Sequence, residues 1–389
     1  MKIAYTTVND ILNQNSWSKD VQGVCAAAYH ISKHLIDESI ELDYLGPLSK
    51  NFTALTKLKW SFYHYISKKD YYRWAEPLIA KDYARQVQIK LKILNSDIVL
   101  CPENIVPIAY LDCKQPIVIW TDTTLSSLIN FYRHMNNLCQ ENIRNIHLME
   151  AEALNRCQLI IYTSDWAAKT AMTTYNIPAN KIKVVPYGAN LVCNRNFEDI
   201  HNIIQSKSIS PCKLLFIGVD WIRKGGNVAF QITKELNNLG LKCELTIVGC
   251  KPNINEALPQ FVKYIDFIDK SKKSGLEKIN QLFTEAHFLI LPTTADCTPH
   301  VVAEANSFGV PAISTNVGGL ATLIHDEING KIFPLDANIS AYCNYIIKLM
   351  ANYNDYKQLS LSSFNEYQQR LNWHVAVQKT KQLINDLIV

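Results

Sequence analysis

The sequence predicts an α/β protein of two domains, each a doubly wound parallel sheet, with the two sheets facing one another. Three observations carry this. Strand–helix units repeat in both halves of the chain, the pattern of parallel strands joined by crossover helices. A polar stretch, Asn194–Pro211, separates the two runs and ends in Ser208-Ile209-Ser210-Pro211, as expected of a domain boundary. A length of 389 residues gives two or three domains a core each.

In the first half, Lys2–Thr7 reads as a buried strand, followed by a polar loop at Asn9–Val21 and a helix from about Gly23 to Leu35. Gly23 either lets a ligand or the opposing domain approach the backbone or is a turn glycine. Leu42–Leu45, Asp97–Cys101 and Pro116–Trp120 read as further strands, the last running into Thr121-Asp122-Thr123-Thr124. Ligands collect at the carboxyl ends of parallel strands. Asp122 is therefore placed for chemistry, or else it caps a following helix. Arg144–Arg156 has a helical pattern, Leu159–Thr163 a strand pattern ending at the cap Ser164-Asp165-Trp166, and Lys183–Pro186 a last strand closed by Tyr187-Gly188-Ala189-Asn190.

The second half opens with strand Lys213–Ile217, the loop Gly218–Gly226 and a helix to Leu239. Strands at Glu244–Val248 and Tyr264–Ile268 follow, then a helix at Leu276–Ala286 and a buried strand from Phe288 to Pro292. After a polar turn, Thr298-Pro299 predicts a helix start. Threonine caps by accepting a free N–H, and proline at the first position has no N–H to lose. The free N–H groups there make an anion site, bracketed by Asp296 and Glu304. Glu304 is either an exposed helix residue or, beside Val301, Val302 and Ala303, an acid that needs a partner. Gly309 and Pro311 end the helix. Ala312–Thr315 is a strand, Gly318-Gly319 a tight loop, Ser340–Leu371 helical, and Trp373–Val389 a last amphipathic helix.

The loop GVDWIRKGG, Gly218–Gly226, places Arg223 and Lys224 just ahead of two glycines. The glycines admit a ligand to the backbone and the cations neutralise a diphosphate, although a purely structural turn fits as well. Neither the dinucleotide fingerprint nor the P-loop spacing is present. Both loops follow strands of one sheet and so share its carboxyl edge. A nucleotide sugar, with a diphosphate and hydroxyls on each side, would satisfy both.

A net charge of +4 with 19% charged residues does not argue for nucleic acid. Its distribution says more: Lys50–Lys92 holds ten Lys/Arg against three Asp/Glu, among Trp60, Phe62, Tyr63, Tyr65, Tyr71, Tyr72 and Trp74. Such a stretch can lie on an anionic membrane surface, or it is a solvated helix pair with its aromatics packed inward. Eleven cysteines without C-x-x-C give no zinc or redox motif and read as reduced thiols. The start, Met1–Thr6, turns polar by Asn9-Asp10, unlike a secretory signal, and no apolar run is long enough to cross a bilayer. The expectation is a cytoplasmic protein, in peripheral membrane contact through 50–92 on the first of these two readings.

Gly218–Gly225, Asp296 with Glu304-Ala305 eight residues on, Gly309-Val310-Pro311, the run Val184–Asn190 and Trp373 together resemble the retaining glycosyltransferases of family 4. The resemblance implies the GT-B fold, two facing Rossmann-like domains with a cleft between them. Residues 1–195 with 373–389 would form the acceptor side and 208–372 the nucleotide-sugar domain. It implies that Lys224 contacts the donor diphosphate within the loop of Gly218, Arg223 and Gly225. Glu304 would bind ribose hydroxyls and Asp296 the transferred sugar, with Asp122 on the acceptor side. Backbone at Pro299, His300 and Val301 would hold the sugar and distal phosphate, and Ile268 and Asp269 would border the base. The acceptor would be a saccharide or lipid-linked saccharide, with no cofactor or metal required. This chain departs from the family pattern at Val219, where an arginine is usual, at Asp296 for glutamate, at Thr298-Pro299 for Phe-Gly, and at a missing first-domain histidine whose region holds Asp122. A nucleotide-sugar epimerase and a non-catalytic nucleotide-sugar binding protein are the alternatives.

Overall fold

The computed structural model describes residues 1–18, 21–255 and 257–388. Lys19 and Asp20 of the expected loop Asn9–Val21, and Val389 of the expected last helix, lie outside them. The chain divides into two compact units, one of residues 1–187 joined by the last residues from Ala376, the other Gly188–Val375. Each unit holds a six-stranded, wholly parallel sheet.

In the first unit the strands are β1 (Lys2–Tyr5), β2 (Glu41–Tyr44), β3 (Ile98–Cys101), β4 (Ile117–Thr121), β5 (Leu159–Tyr162) and β6 (Ile182–Val184). Their spatial order is β2-β1-β3-β4-β5-β6. Residues of β3, β4 and β5 are buried throughout, as expected of central strands covered on both faces. In the second unit they are β7 (Cys212–Ile217), β8 (Cys243–Val248), β9 (Val262–Ile265), β10 (Phe288–Leu291), β11 (Ala312–Thr315) and β12 (Gly330–Phe333), in the order β12-β11-β10-β7-β8-β9. The loops after β7 and β10 are neighbours because those two strands pair directly. That pairing brings together residues about seventy apart in sequence.

Three expectations change. The polar stretch Asn194–Pro211 contains a helix, Phe197–Ser206, whose Ile200 and Ile204 are buried in the second core. Asn196 and Asp199 cap it reciprocally, each side chain bonding the other's backbone N–H. Polarity there marks the outer face of an amphipathic helix, and the division between units falls earlier, at Tyr187/Gly188. Strand β12 was not expected, because GKIF offers little apolar pattern; its glycine lets the strand lie against β11, where a Cβ would come 1.9 Å from the Ala312 carbonyl oxygen. The helical tract Ser340–Leu371 is two helices, Ile339–Ala351 and Tyr353–Arg370.

The basic aromatic stretch has one face packed inward and one exposed. Tyr63 stacks on Tyr71 at 5.2 Å, and Lys59 pairs with Glu76 and Glu141, so one face packs inward. On the outer side Leu58 is 71% and Ile66 72% exposed, alongside Phe62 and Tyr65. No helix among the described residues is long and apolar enough to cross a membrane.

Candidate functional site

The carboxyl edge of the second sheet gathers most of the residues singled out. After β7 the chain turns so tightly that a Cβ on Gly218 would sit 2.9 Å from Lys224 Cγ. The lysine stem thus lies across the glycine. Gly225 has φ +79°, and a Cβ there would fall 1.8 Å from the Pro292 carbonyl oxygen, so only glycine fits. Gly225 caps the helix Gly226–Asn238. The loop after β10 is laced to this turn: Thr294 N–H (2.8 Å) and the Thr293 hydroxyl (2.9 Å) both donate to the Arg223 carbonyl.

Through that lacing Lys224 Nζ reaches both carboxylate oxygens of Asp296, at 2.9 and 2.7 Å. Arg223 Nη1 donates to Asp296 Oδ1 at 3.2 Å and to the Ala295 carbonyl at 2.8 Å. Lys224 is 9% and Asp296 5% exposed. Buried charges persist only when paired, and here two cations share one acid.

Glu304 is 3% exposed, which excludes the exposed-helix reading. Its carboxylate takes Lys270 Nζ at 2.5 Å, drawing the Ile268–Lys270 segment to the helix after β10. Asp269 bonds locally: its Oδ1 accepts from Ser271 Oγ and N at 2.7 and 3.0 Å, bonds that hold its pKa below the usual carboxylate value. Ile268 packs against the second core.

The helix start differs from expectation. The helix is His300–Asn306, only seven residues, and Pro299 itself is the cap, extended at φ −68°, ψ 118°. A proline followed by such a ψ cannot be the first helical residue, so Thr298 falls one position outside the cap. The His300 ring partners the Gly188 carbonyl through Nδ1 at 3.1 Å and lies 6.2 Å from the Trp373 ring. Because the carbonyl can only accept, Nδ1 carries the hydrogen; desolvation holds the ring's pKa below its ordinary value. Gly188 packs so closely on the Trp373 backbone that a Cβ would lie 2.2 Å from its nitrogen.

Asp122 belongs to the first unit, just past β4. The turn beyond it is a short 3-10 segment, Ser126–Leu128, capped at Leu125 without a side-chain bond, so Asp122 does not cap a helix. Two acids of this unit escaped the sequence reading. Glu103, past the end of β3, accepts from Val8 N–H at 2.6 Å and Asn9 Nδ2 at 3.2 Å. Glu150, fully buried, accepts from Leu125 N–H (2.6 Å), Ser126 N–H (2.9 Å) and Tyr175 OH (2.8 Å). Burial raises the pKa of both. Glu150 had a signal, since it lies on the helical face of Ile146, Met149, Ala153 and Leu154.

Residues 211–352 match the family described as Glycosyl transferases group 1. Among curated relatives, the amylovoran biosynthesis glycosyltransferase AmsK of Erwinia amylovora is 24% identical over 219 residues. That match spans 54% of this chain and 52% of the relative, so about half the relative's length is represented. Two solved structures are similar over nearly the whole of both chains. The lipopolysaccharide outer core galactosyltransferase WaaB has a TM-score of 0.63 at 15% identity, covering 99% of each chain. Anabaena HepE in complex with UDP-glucose has a TM-score of 0.61 at 14% identity, covering 99% of this chain and 100% of the other. With the two six-stranded parallel sheets, these likenesses establish the GT-B fold.

Proposed function

We propose that the chain is a glycosyltransferase that moves a sugar from a nucleoside diphosphate to an acceptor hydroxyl with retention of configuration. The observation carrying this reading is the meeting of Lys224 and Arg223 with Asp296, beside the Glu304–Lys270 pair, inside the segment matching Glycosyl transferases group 1. In the loaded enzyme the donor diphosphate takes over Lys224 and Arg223, and Asp296 turns to the hydroxyls of the transferred sugar. Glu304 accepts from the ribose hydroxyls, with Ile268 and Asp269 bordering the base. The backbone at Pro299, His300 and Val301 holds the sugar and distal phosphate. The acceptor oxygen bonds to the anomeric carbon on the face from which the nucleoside diphosphate departs. The electrons of the broken C–O bond leave with the phosphate, which also receives the acceptor's proton. Fixed cations aimed at the charge developing on the leaving group lower the barrier. Asp122 is the acceptor-side carboxylate. Calorimetric titration of nucleotide sugars should show donor binding in the wild type and its loss in Glu304→Ala; unchanged affinity would overturn the assignment.

The acceptor is a saccharide or lipid-linked saccharide. The name of the amylovoran relative supports the former, and the outer face of 52–66 supports the latter. There Leu58, Phe62, Tyr65 and Ile66 are exposed beside Lys57, Lys68 and Lys69, the pairing of apolar and cationic groups that holds a segment on anionic lipid. In a flotation assay at low salt, the protein should rise with phosphatidylglycerol vesicles and stay down with phosphatidylcholine. Equal behaviour on both would remove the membrane role.

A further inference from the structure

The carboxyl edge of the first sheet holds a hollow of about 450 Å³, within the roughly 300–1,000 Å³ typical of small-molecule sites. Trp74, Val106 and Leu125 give it an apolar wall, and Asn9, Lys50 and Arg73 a polar rim. Arg73 also lines a second hollow of about 390 Å³ with Lys57 and Trp60.

The charges at this rim are unbalanced. Arg73 Nε donates to the Thr56 hydroxyl at 2.9 Å and Nη2 to the Thr53 carbonyl at 3.1 Å. Both acceptors are neutral, so they orient the guanidinium without cancelling its charge. Neither Arg73 nor Lys50 has a carboxylate within ion-pair distance among the described residues. The acids of the neighbourhood are committed elsewhere. Glu103 is buried and bonded to Val8 and Asn9, though it still attracts Lys50 across space. Asp82 takes Asn51 (2.9 Å), Gln86 (2.7 Å) and Arg85 (3.1 Å). Asp10 accepts from the N–H groups of Leu12 and Asn13.

A guanidinium fixed in plane beside a free ammonium suits an oxyanion with two or three oxygens. The geometry points to this hollow as the seat of an acceptor that carries an anionic group, a phosphate ester or a sugar carboxylate, held by Lys50 and Arg73. The acceptor's ring or apolar portion lies on Trp74, Val106 and Leu125. The inference rests on reading the first unit as the acceptor side, and it adds the acceptor's charge.

The test is calorimetry on the full chain carrying Lys224→Ala, which removes the other anion site. The probes are octyl diphosphate, glucuronate and the neutral octyl glucoside. At least one anionic probe should bind about tenfold or more tightly than octyl glucoside, the size of one good charge contact. Lys50→Gln and Arg73→Gln should each weaken it by about tenfold, and Lys50→Arg should restore it. Lys50 is exposed and, among the described residues, without an ion pair, so its variant tests binding even if Arg73→Gln disturbs the local fold. The tighter anionic probe names the source: octyl diphosphate a phosphate ester, glucuronate a sugar acid. Unchanged affinity in Lys50→Gln, or equal binding of octyl glucoside, overturns the inference. Donor binding lost in Glu304→Ala with probe binding unmoved in Lys50→Gln would sink the anion seat and keep glycosyl transfer. The opposite pattern would keep the anion seat and sink the donor assignment.

Discussion

At the carboxyl edge of the second sheet the acids face cations: Asp296 holds Lys224 and Arg223, and Glu304 holds Lys270. At the same edge of the first sheet the acids face the chain itself. Glu103 holds the loop after β1 and Glu150 the loop after β4, each through backbone N–H groups, while Lys50 and Arg73 have no carboxylate within ion-pair distance among the described residues. The difference separates two uses of a buried carboxylate. On the proposed function, the carboxylate of the second unit is a placeholder that the donor's anion replaces at its cations. In the first it is a permanent brace, since withdrawing it would strand backbone donors with no substitute.

The placeholder side should give the largest effect. If Lys224 holds the departing diphosphate as proposed, Lys224→Ala should lower kcat by about 100- to 1,000-fold, the range for deleting one aimed charge or donor. It should also lower stability, because Asp296 loses one of the two cations that pair with it. Adding Asp296→Asn should recover much of that stability but none of the activity, since breaking a buried pair costs more than replacing both partners. A thermal double-mutant cycle beside steady-state kinetics reads both. If the double variant is less stable than Lys224→Ala, the carboxylate is a brace after all and the contrast fails.

The brace side should respond in the other sense. Glu150→Ala leaves Leu125 N–H and Ser126 N–H without their acceptor and takes one partner from Tyr175 OH, and should cost on the order of 2 kcal/mol. Donor affinity should stay unchanged, because no donor-site residue is involved. Urea denaturation with donor titration on one preparation separates the two readouts. A fall in donor affinity matching the stability loss would erase the distinction between the two units.

The central strands were legible because a parallel strand covered on both faces is a short apolar run, as in Phe288–Leu291, ended by a turn. β12 was not, since its glycine is placed for close approach to β11 and leaves only two apolar side chains. The cationic turn and the acids after β10 could be read singly from glycine spacing and helix punctuation. Their direct contact depended on β7 and β10 being neighbours, a fact of topology and not of local sequence. Glu103 and Glu150 were missed for a related reason. Most of their partners are backbone N–H groups, which every residue except proline carries and no motif records. The supposed linker was misread because a helix with one buried edge, Ile200 and Ile204, is mostly polar in composition.

Lys207 sharpens the contrast from within the second unit, at the opposite edge of its sheet. Like Lys224 it is buried, but among the described residues its Nζ bonds only the Ala286 carbonyl at 2.6 Å and Tyr356 OH at 3.4 Å. Around it stand His287, Tyr353 and Tyr356, with Lys213 beyond His287, and none supplies negative charge at neutral pH. Burial accordingly lowers the Lys207 pKa to about 7, and burial together with Lys207 lowers that of His287 to about 3. A lysine with a depressed folded pKa is protonated in the unfolded chain and neutral in the folded one between about 7 and the ordinary 10.5. The unfolded state then binds more protons, so this group's contribution to stability rises with pH across that window. Below about 7 the charge stays on in both states, and its burial cost is felt in full. For His287 the window lies between about 6.5 and 3, where stability falls as pH falls. Lys207→Met keeps the stem, removes the charge and leaves the Ala286 carbonyl short of a donor, so the informative quantity is the slope with pH. Between pH 7 and pH 9 the wild type should gain roughly 2 kcal/mol relative to Lys207→Met in urea denaturation. Parallel curves would mean that Lys207 keeps its proton in the folded state, and that an acid is not needed to hold a buried lysine charged in this unit.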